Sequence, residues 1–411
     1  MTTHFAFRLS NGIENTKRPP IPQAYKWAES YVATPSRPLL DMSQGVPGVP
    51  PPKNVLDALG AAASDPTTCG YVPNAGELPL RRAIMEEMKH QYGSEADLTP
   101  EDIAVTAGCN LAFVAVAMTL AGPGDEMILP IPWYFNHEMT LTSLSITPVL
   151  LLTRPEDHFL PSPERCEALI TSKTKAIVLV TPNNPTGAIY PPSLVQQFAE
   201  LAQKHSLALV LDETYRNFIT TGAPHALFTP TPSWSWRSTL IHLYSFSKAY
   251  CIPGHRLGLL CAAPTLIPHL NIALDSLQIC APRTPQRALA PLLPTLRPFV
   301  RASADAVAHR HALFRAELPG RWAIGSQGGY YAFVRHPFVG VHADKVCERL
   351  AGEMGVVCLP SGFFGPGQRK DEEPERWIRF SVANVSDEKV KLVCGRLQES
   401  EQVFGWEVDP L

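Results

Sequence analysis

Short, largely apolar runs, several of them apolar throughout, alternate with longer stretches of helical spacing across the middle of the chain, and this alternation limits the fold more than any other feature. The apolar runs are residues 103–106, 126–129, 176–180, 207–211, 240–244 and 257–261; helical stretches at 110–120, 135–144 and 193–205 follow the first three. A run such as AIVLV, apolar at every position, suits a strand covered by helices on both faces, and strand–helix alternation suits a mostly parallel sheet. The pattern predicts an α/β fold with a large domain over about residues 60–290. At 77–92, Leu80, Ile84 and Met88 recur on one helical face, with Arg81, Arg82, Glu86 and Lys89 for the other, which reads as a surface helix. After Pro282 the order changes: helical segments near 300–318, 344–354 and 391–399 mix with runs at 330–334, 356–359 and 377–382. That order suits a smaller α+β domain over 291–411. Residues 1–59 carry aromatic anchors (Tyr25, Trp27, Tyr31) but little periodicity, and read as an N-terminal arm and part of the smaller domain.

Composition narrows the partners. With 45% hydrophobic and 18% charged residues and a formal charge of −3, the chain has neither the makeup of a disordered protein nor a surface for polyanions, so nucleic acid is not an expected partner. The nine cysteines show no CxxC pair and no metal-ligand spacing with histidine, so neither a disulfide framework nor a metal site is expected. The longest apolar segment, 111–121, is too short to cross a bilayer, and no basic-then-apolar leader opens the chain. A soluble protein of the cytoplasm is the expectation.

In parallel sheets ligands gather at the carboxyl ends of strands, so the residues that follow each run carry the chemistry. VTAGCN delivers Gly108, Cys109 and Asn110 to a helix start, where unpaired N–H groups favour a phosphate. LPIPWYFNH uses two prolines to present Trp133 and Tyr134, either as a stacking platform or as loop packing. In TPNNPTG, Pro182 and Pro185 fix the loop, Gly187 lets it turn, and the Asn184 amide can face an anionic oxygen, although an Asx-turn would use the same residues. Asp212 ends an apolar run and would be costly to bury unpaired; a capping role is the plain alternative. Lys248, flanked by Ser245 and Ser247 and followed by a Pro-Gly turn and Arg256, has the setting of an amine that bonds to an aldehyde while its neighbours hold a phosphate. Alone, it reads equally as a solvated lysine.

The stretches TPNNPTG, LDETY and SFSKAYCIPGHRLG, in this order, resemble those of the class I/II aminotransferases, the fold-type I enzymes that use pyridoxal 5'-phosphate, and the resemblance runs from about Gly45 to Asn384. It implies an imine between Lys248 and the cofactor, with Lys248 also moving the substrate proton. Gly108, Cys109, Asn110, Ser245 and Arg256 would hold the phosphate; because Cys109 stands where the family more often has serine, alanine or glycine, its contribution should come from the backbone. Tyr134, rather than Trp133, would stack on the ring. Asn184 and Tyr215 would face its phenolic oxygen and Asp212 its nitrogen. Tyr71, in GYVPNAGELPLR, would reach the phosphate of a neighbouring subunit, implying a homodimer with shared sites. Gly45, Asn184 and Arg379, the last in WIRFSVA, would bind the substrate, with Arg379 on its α-carboxylate.

The implied reaction moves an amino group from an amino acid to a 2-oxo acid by a ping-pong route. Elimination, cyclisation of the aminocyclopropane-carboxylate synthase type and oxidation use the same scaffold and remain alternatives. A non-catalytic sensor of the kind found in some transcription regulators would need a DNA-binding domain, for which the stretch before Gly45 has no room. A dinucleotide-binding oxidoreductase lacks its GxGxxG after the first strand. The arm, the region of Val46 and the turn Gly328, Gly329, Tyr330 are the candidates to line a substrate pocket. Glu213 has no role assignable from the sequence.

Overall fold

The computed structural model describes residues 6–366 and 375–410. The first residues of the expected arm (1–5), part of the C-terminal stretch (367–374) and Leu411 lie outside it. Thirteen strands are present among the described residues: β1 (Leu40–Asp41), β2 (Ile103–Thr106), β3 (Glu126–Ile131), β4 (Thr147–Leu152), β5 (Thr174–Val180), β6 (Ala208–Asp212), β7 (Leu240–Ser245), β8 (Gly258–Cys261), β9 (Ala323–Gly328), β10 (Tyr331–Arg335), β11 (Val356–Val357), β12 (Leu359–Pro360) and β13 (Trp377–Ser381).

Seven of them form the central sheet in the order β2-β8-β7-β6-β5-β3-β4. Neighbours from β7 to β4 pair in parallel, while β8 runs antiparallel to both β2 and β7. Successive side chains on a strand point to opposite faces, so each apolar run feeds two cores at once. Ile103, Val105, Ile177, Leu179, Leu209 and Leu211 join one core with Leu80, Ile84 and Met88 of the helix Leu78–Tyr92 and Val195 and Phe198 of the helix Pro192–Lys204. Ala104, Ala176, Val178, Val210 and Leu243 join the other with Phe113 and Val116 of the helix Cys109–Leu120 and Leu270 and Leu274 of the helix Ile267–Gln278. Two covered faces are why these runs show no polar alternation.

A second, antiparallel sheet has the order β12-β13-β10-β9. Its core takes Val334, Ile378 and Phe380, with Val346 and Leu350 of the helix Ala343–Gly352 and Val393 and Leu397 of the helix Asp387–Val403. The arm is stapled to this part of the molecule: β1 pairs in parallel with β11, Leu40 opposite Val356 and Asp41 opposite Val357.

Some elements differ from the sequence reading. The helix Lys53–Ser64 begins right after the prolines at 50–52 and buries Val55 and Leu59 in the large core, so this end of the expected arm is core structure. Strand β4 lies at the sheet edge, with Leu152 60% exposed, and its apolar residues 149–152 follow Thr147 and Pro148, while β9 is half-exposed and mixes Gly, Ser and Gln with Ala and Ile.

Candidate active site

The carboxyl ends of β2, β3, β5, β6 and β7 lie along one edge of the central sheet, and the reversed direction of β8 brings its start to the same edge, where Gly258 pairs with both Thr106 and Ser245. Arg256 therefore arrives beside the residues that follow β2 and β7. Gly45, Cys109, Asn110, Tyr134, Asn184, Asp212, Tyr215, Ser245, Lys248, Arg256 and Arg379 all line one cavity of about 300 Å³. Gly108 sits directly behind Arg256: at φ +88° its backbone disfavours any other residue, and a Cβ there would overlap the guanidinium. Tyr71 is not brought in; it is 79% exposed and lines no part of this cavity.

Lys248 lies in the short helix Phe246–Ala249, whose N-cap, Ser245, accepts from the Ser247 N–H at 3.2 Å. Its Nζ donates to the Gly45 carbonyl at 2.5 Å. Burial, and then the positive charges of Arg379 and Arg256, pull the lysine down to about 8, against the opposing pull of Asp212.

Asp212 is 4% exposed at the tip of β6. The Thr214 N–H donates to it at 2.9 Å, His137 Nε2 lies 3.4 Å away, and the Cys109 thiol donates at 3.7 Å. Burial pushes this carboxyl upward, yet His137 and Thr214 outweigh it and hold the group below the ordinary carboxylate range. His137 is itself oriented by stacking on Phe113, with centroids 4.0 Å apart. The Cys109 side chain thus touches Asp212, a contact separate from the backbone role toward a phosphate that was expected of it.

Of the two aromatics after β3, Trp133 packs into the core and Tyr134 faces the cavity, its hydroxyl donating to Asn110 Oδ1 at 3.3 Å. Arg379 is buried; it donates to Asn184 Oδ1 at 2.7 Å and, closely, to the Ser43 carbonyl, while its Nε has no partner. Its guanidinium lies over the rings of Tyr331 and Phe364, at 4.5 and 4.8 Å. The Tyr215 hydroxyl lies 2.6 Å from that of Tyr331.

Several lining residues escaped the sequence reading: Gln44, Phe135, Thr214 and Tyr331. Ser43 and His137 act from just behind. The turn at 328–330 is not the lining it was expected to be. Gly328 lies against Gly187 and Ile189, and Gly329 against Pro182 and Tyr215; the Tyr330 hydroxyl donates to the Lys248 carbonyl at 3.1 Å, and Tyr331 is the residue that enters the cavity. Adjacent strand residues face opposite ways, and a YY pair does not reveal which one faces in. His137 had a detectable signal, one helical turn after Tyr134 in WYFNH. Glu213 is wholly buried behind the site, where Tyr92 donates to its Oε2 and His225 and His242 lie at 3.2 and 3.1 Å.

A family model described as aminotransferase class I and II matches residues 37–397. The chain belongs to the class I and II aminotransferases. Like other aminotransferases it transfers an amino group between an amino acid and a 2-oxo acid. The bifunctional aspartate aminotransferase and glutamate/aspartate-prephenate aminotransferase of Petunia hybrida is 28% identical, over 80% of this chain and 71% of its own. An arginine–pyruvate transaminase of Pseudomonas aeruginosa is 30% identical, over 80% of this chain and 83% of its own. A solved single mutant of Thermus thermophilus aspartate aminotransferase has a TM-score of 0.84 at 26% identity, covering 96% of this chain and 99% of that one. Among the described residues of the aminotransferase no helix is long and apolar enough to cross a membrane, and no group of His, Cys, Asp and Glu could hold a metal ion.

Proposed function

We propose that the enzyme transaminates amino acids with pyridoxal 5'-phosphate held in the cavity around Lys248. The observation that carries this reading is the meeting of Lys248, Asp212 and Arg379, from three distant parts of the chain, in one cavity. The donor set fits the cofactor. Arg256, Ser245 and the N–H groups that open the helix Cys109–Leu120 suit a phosphate. Asp212, kept ionised by His137 and Thr214, suits a protonated ring nitrogen. Bound there, the cofactor supplies an electron sink for the pair left at the substrate Cα when its proton departs.

The chain's own groups do the rest. Tyr134 covers a ring face and excludes water. Asn184 and Tyr215 donate to the phenolic oxygen. Arg379 takes the substrate α-carboxylate through two parallel N–H bonds, for which its unpaired Nε–H and the remaining N–H of its terminal nitrogens leave capacity. Lys248 carries the proton from Cα, and a pKa brought to about 8 keeps part of the amine neutral near physiological pH, as a base requires. Ile21, Val46 and Phe135 give the substrate an apolar wall.

A homodimer with shared sites belongs to this reading, since Tyr71 is exposed on its own chain and suits a contact with a second copy. All nine cysteines are free, which fits a reducing cytoplasm. Purified protein given pyridoxal phosphate should develop a visible absorbance band that shifts on adding an amino acid, and Lys248→Ala should abolish both. Full activity in Lys248→Ala would sink the proposal. A fully active monomer in sedimentation velocity would sink the shared site.

A further inference from the structure

Tyr331 belongs to none of the motifs, yet three parts of the site meet on it. Its hydroxyl lies 2.6 Å from that of Tyr215, and the Arg379 guanidinium rides over its ring at 4.5 Å. A Cβ on Gly45, the residue whose carbonyl holds Lys248, would run into the same hydroxyl. Tyr331 is 2% exposed and sits at the start of β10, two residues before Phe333, which faces Arg379 across the strand pair. We propose that Tyr331 is a positioning residue: it orients the Tyr215 hydroxyl and, through it, lowers the proton affinity of the Lys248 nitrogen when that nitrogen is linked to the cofactor. This rests on the reading above, in which Tyr215 faces the cofactor's phenolic oxygen.

The direction follows from counting protons. Each phenol has one. If Tyr215 gives its proton to the cofactor oxygen, its own oxygen is left to accept, and Tyr331 is the donor within reach. The two phenols then form a one-way chain, Tyr331 to Tyr215 to the phenolic oxygen, in which each bond polarises and strengthens the next. A better donor at that oxygen stabilises its anionic form, which competes less well for the proton it shares with the lysine nitrogen. Burial keeps Tyr215 protonated, and hence a donor, far above neutral pH.

The other charged or titratable groups facing the pair are Tyr134, Asp212, Lys248, Tyr330 and Arg379, with Arg256 and Cys109 farther round the cavity. Phenylalanine at 331 leaves all of them in place. It also leaves a ring under Arg379, so carboxylate binding and proton affinity are separable.

The test is a pH titration of the visible band of pyridoxal-phosphate-loaded protein in four forms: wild type, Tyr331→Phe, Tyr215→Phe and the double variant. Tyr331→Phe should raise the midpoint by roughly 0.5 pH unit or more, the scale of a lost cooperative hydrogen bond. Its KM for the amino acid should stay within about twofold while kcat falls. Tyr215→Phe should raise the midpoint further, and the double variant should match Tyr215→Phe, because Tyr331 acts through Tyr215. The double variant leaves no hydroxyl unpaired, so that comparison survives even if Tyr331→Phe folds poorly. An unchanged midpoint in Tyr331→Phe, or a shift that persists undiminished in the Tyr215→Phe background, overturns the inference alone. A wild-type protein with no band overturns the cofactor reading and this inference with it.

Discussion

Glu213→Gln should destabilise the protein by about 3–5 kcal/mol, the usual cost of removing one partner from a buried charge pair. Glu213 is 0% exposed, and one oxygen, Oε2, collects Tyr92 and the Nε2 atoms of His225 and His242. Arg216 sits beside this group, donating to the Tyr92 hydroxyl at 3.2 Å and lying over Tyr244 at 3.9 Å. A carboxylate bond of this kind contributes about 1.5–3 kcal/mol, so three would sum past the usual cost; they share one oxygen, however, and a glutamine carbonyl still accepts from one or two donors. What glutamine cannot supply is the charge opposite Arg216, while its NH₂ adds a donor among donors. Thermal and urea unfolding of the purified protein measure the effect. Acid adds a second signature. Burial opposes ionisation of Glu213, but His225 and His242 hold its carboxyl far below the ordinary range. Its contribution is thus complete above the unfolded value of about 4.3 and fades as pH falls toward the folded one. Wild type should lose stability through that acid window and Glu213→Gln should lose less. A loss under about 1 kcal/mol at pH 7, or equal acid sensitivity in both proteins, would refute the assignment of Glu213 as the counter-charge that holds this cluster together.

In the cofactor-free protein, the rate of reaction of Lys248 with an added aldehyde should rise with pH to a plateau with a midpoint near 8, set by burial beside Arg379 and Arg256; a midpoint near 10 would contradict it. Arg379→Lys keeps the charge but loses the planar fork, so kcat/KM should fall by roughly 10–100-fold, chiefly in KM. Gly108→Ala places a methyl against Arg256 at a positive φ, and equilibrium dialysis should show weaker binding of pyridoxal phosphate with little change in the affinity of a substrate analogue. Burial keeps His311 and His242 at about 4 and His336 at about 3. Each stays neutral in the fold while its unfolded counterpart charges below about 6.5, so between there and pH 4 each should steepen the loss of stability by up to about 1.4 kcal/mol per pH unit. Chemical unfolding across that range reads the slope, and replacing His336 by glutamine should flatten it.

The parts of this molecule that could be read in advance are those where one residue type answers one physical demand. Runs such as AIVLV announce strands covered on both faces, and Asp212, Asn184 and Lys248 follow such runs at the edge where ligands bind. The same logic failed where burial is partial. The edge strand β4 opens on Thr147 and Pro148, β9 mixes polar residues and glycines with apolar ones, and the helix Lys53–Ser64 hid behind prolines that read as a linker. Side-chain facing was also hidden. Tyr330 and Tyr331 are chemically identical neighbours whose rings both pack on Tyr215, and the sequence does not show that it is the Tyr331 hydroxyl that reaches the Tyr215 hydroxyl. Thr214 and Ser43 contribute through short contacts that any small polar residue in a loop can make, so their types alone gave no warning.

The β1–β11 staple bears on how the cavity opens. Met42 donates to Val357, Ser381 to Met42 and Gly48 to Ala383, so the segment carrying Ser43 and Gly45 is fastened to the antiparallel sheet that bears Tyr331 and Arg379. Lys248, Asp212 and Asn184 belong to the other sheet. A hinge between the sheets would therefore swing one complete jaw away from the other, parting Lys248 from Gly45 and Asn184 from Arg379 in a single movement. On the proposed reading, an amino acid gripped by both jaws would act as a latch, the grip on its carboxylate and the setting of the lysine being made or released together.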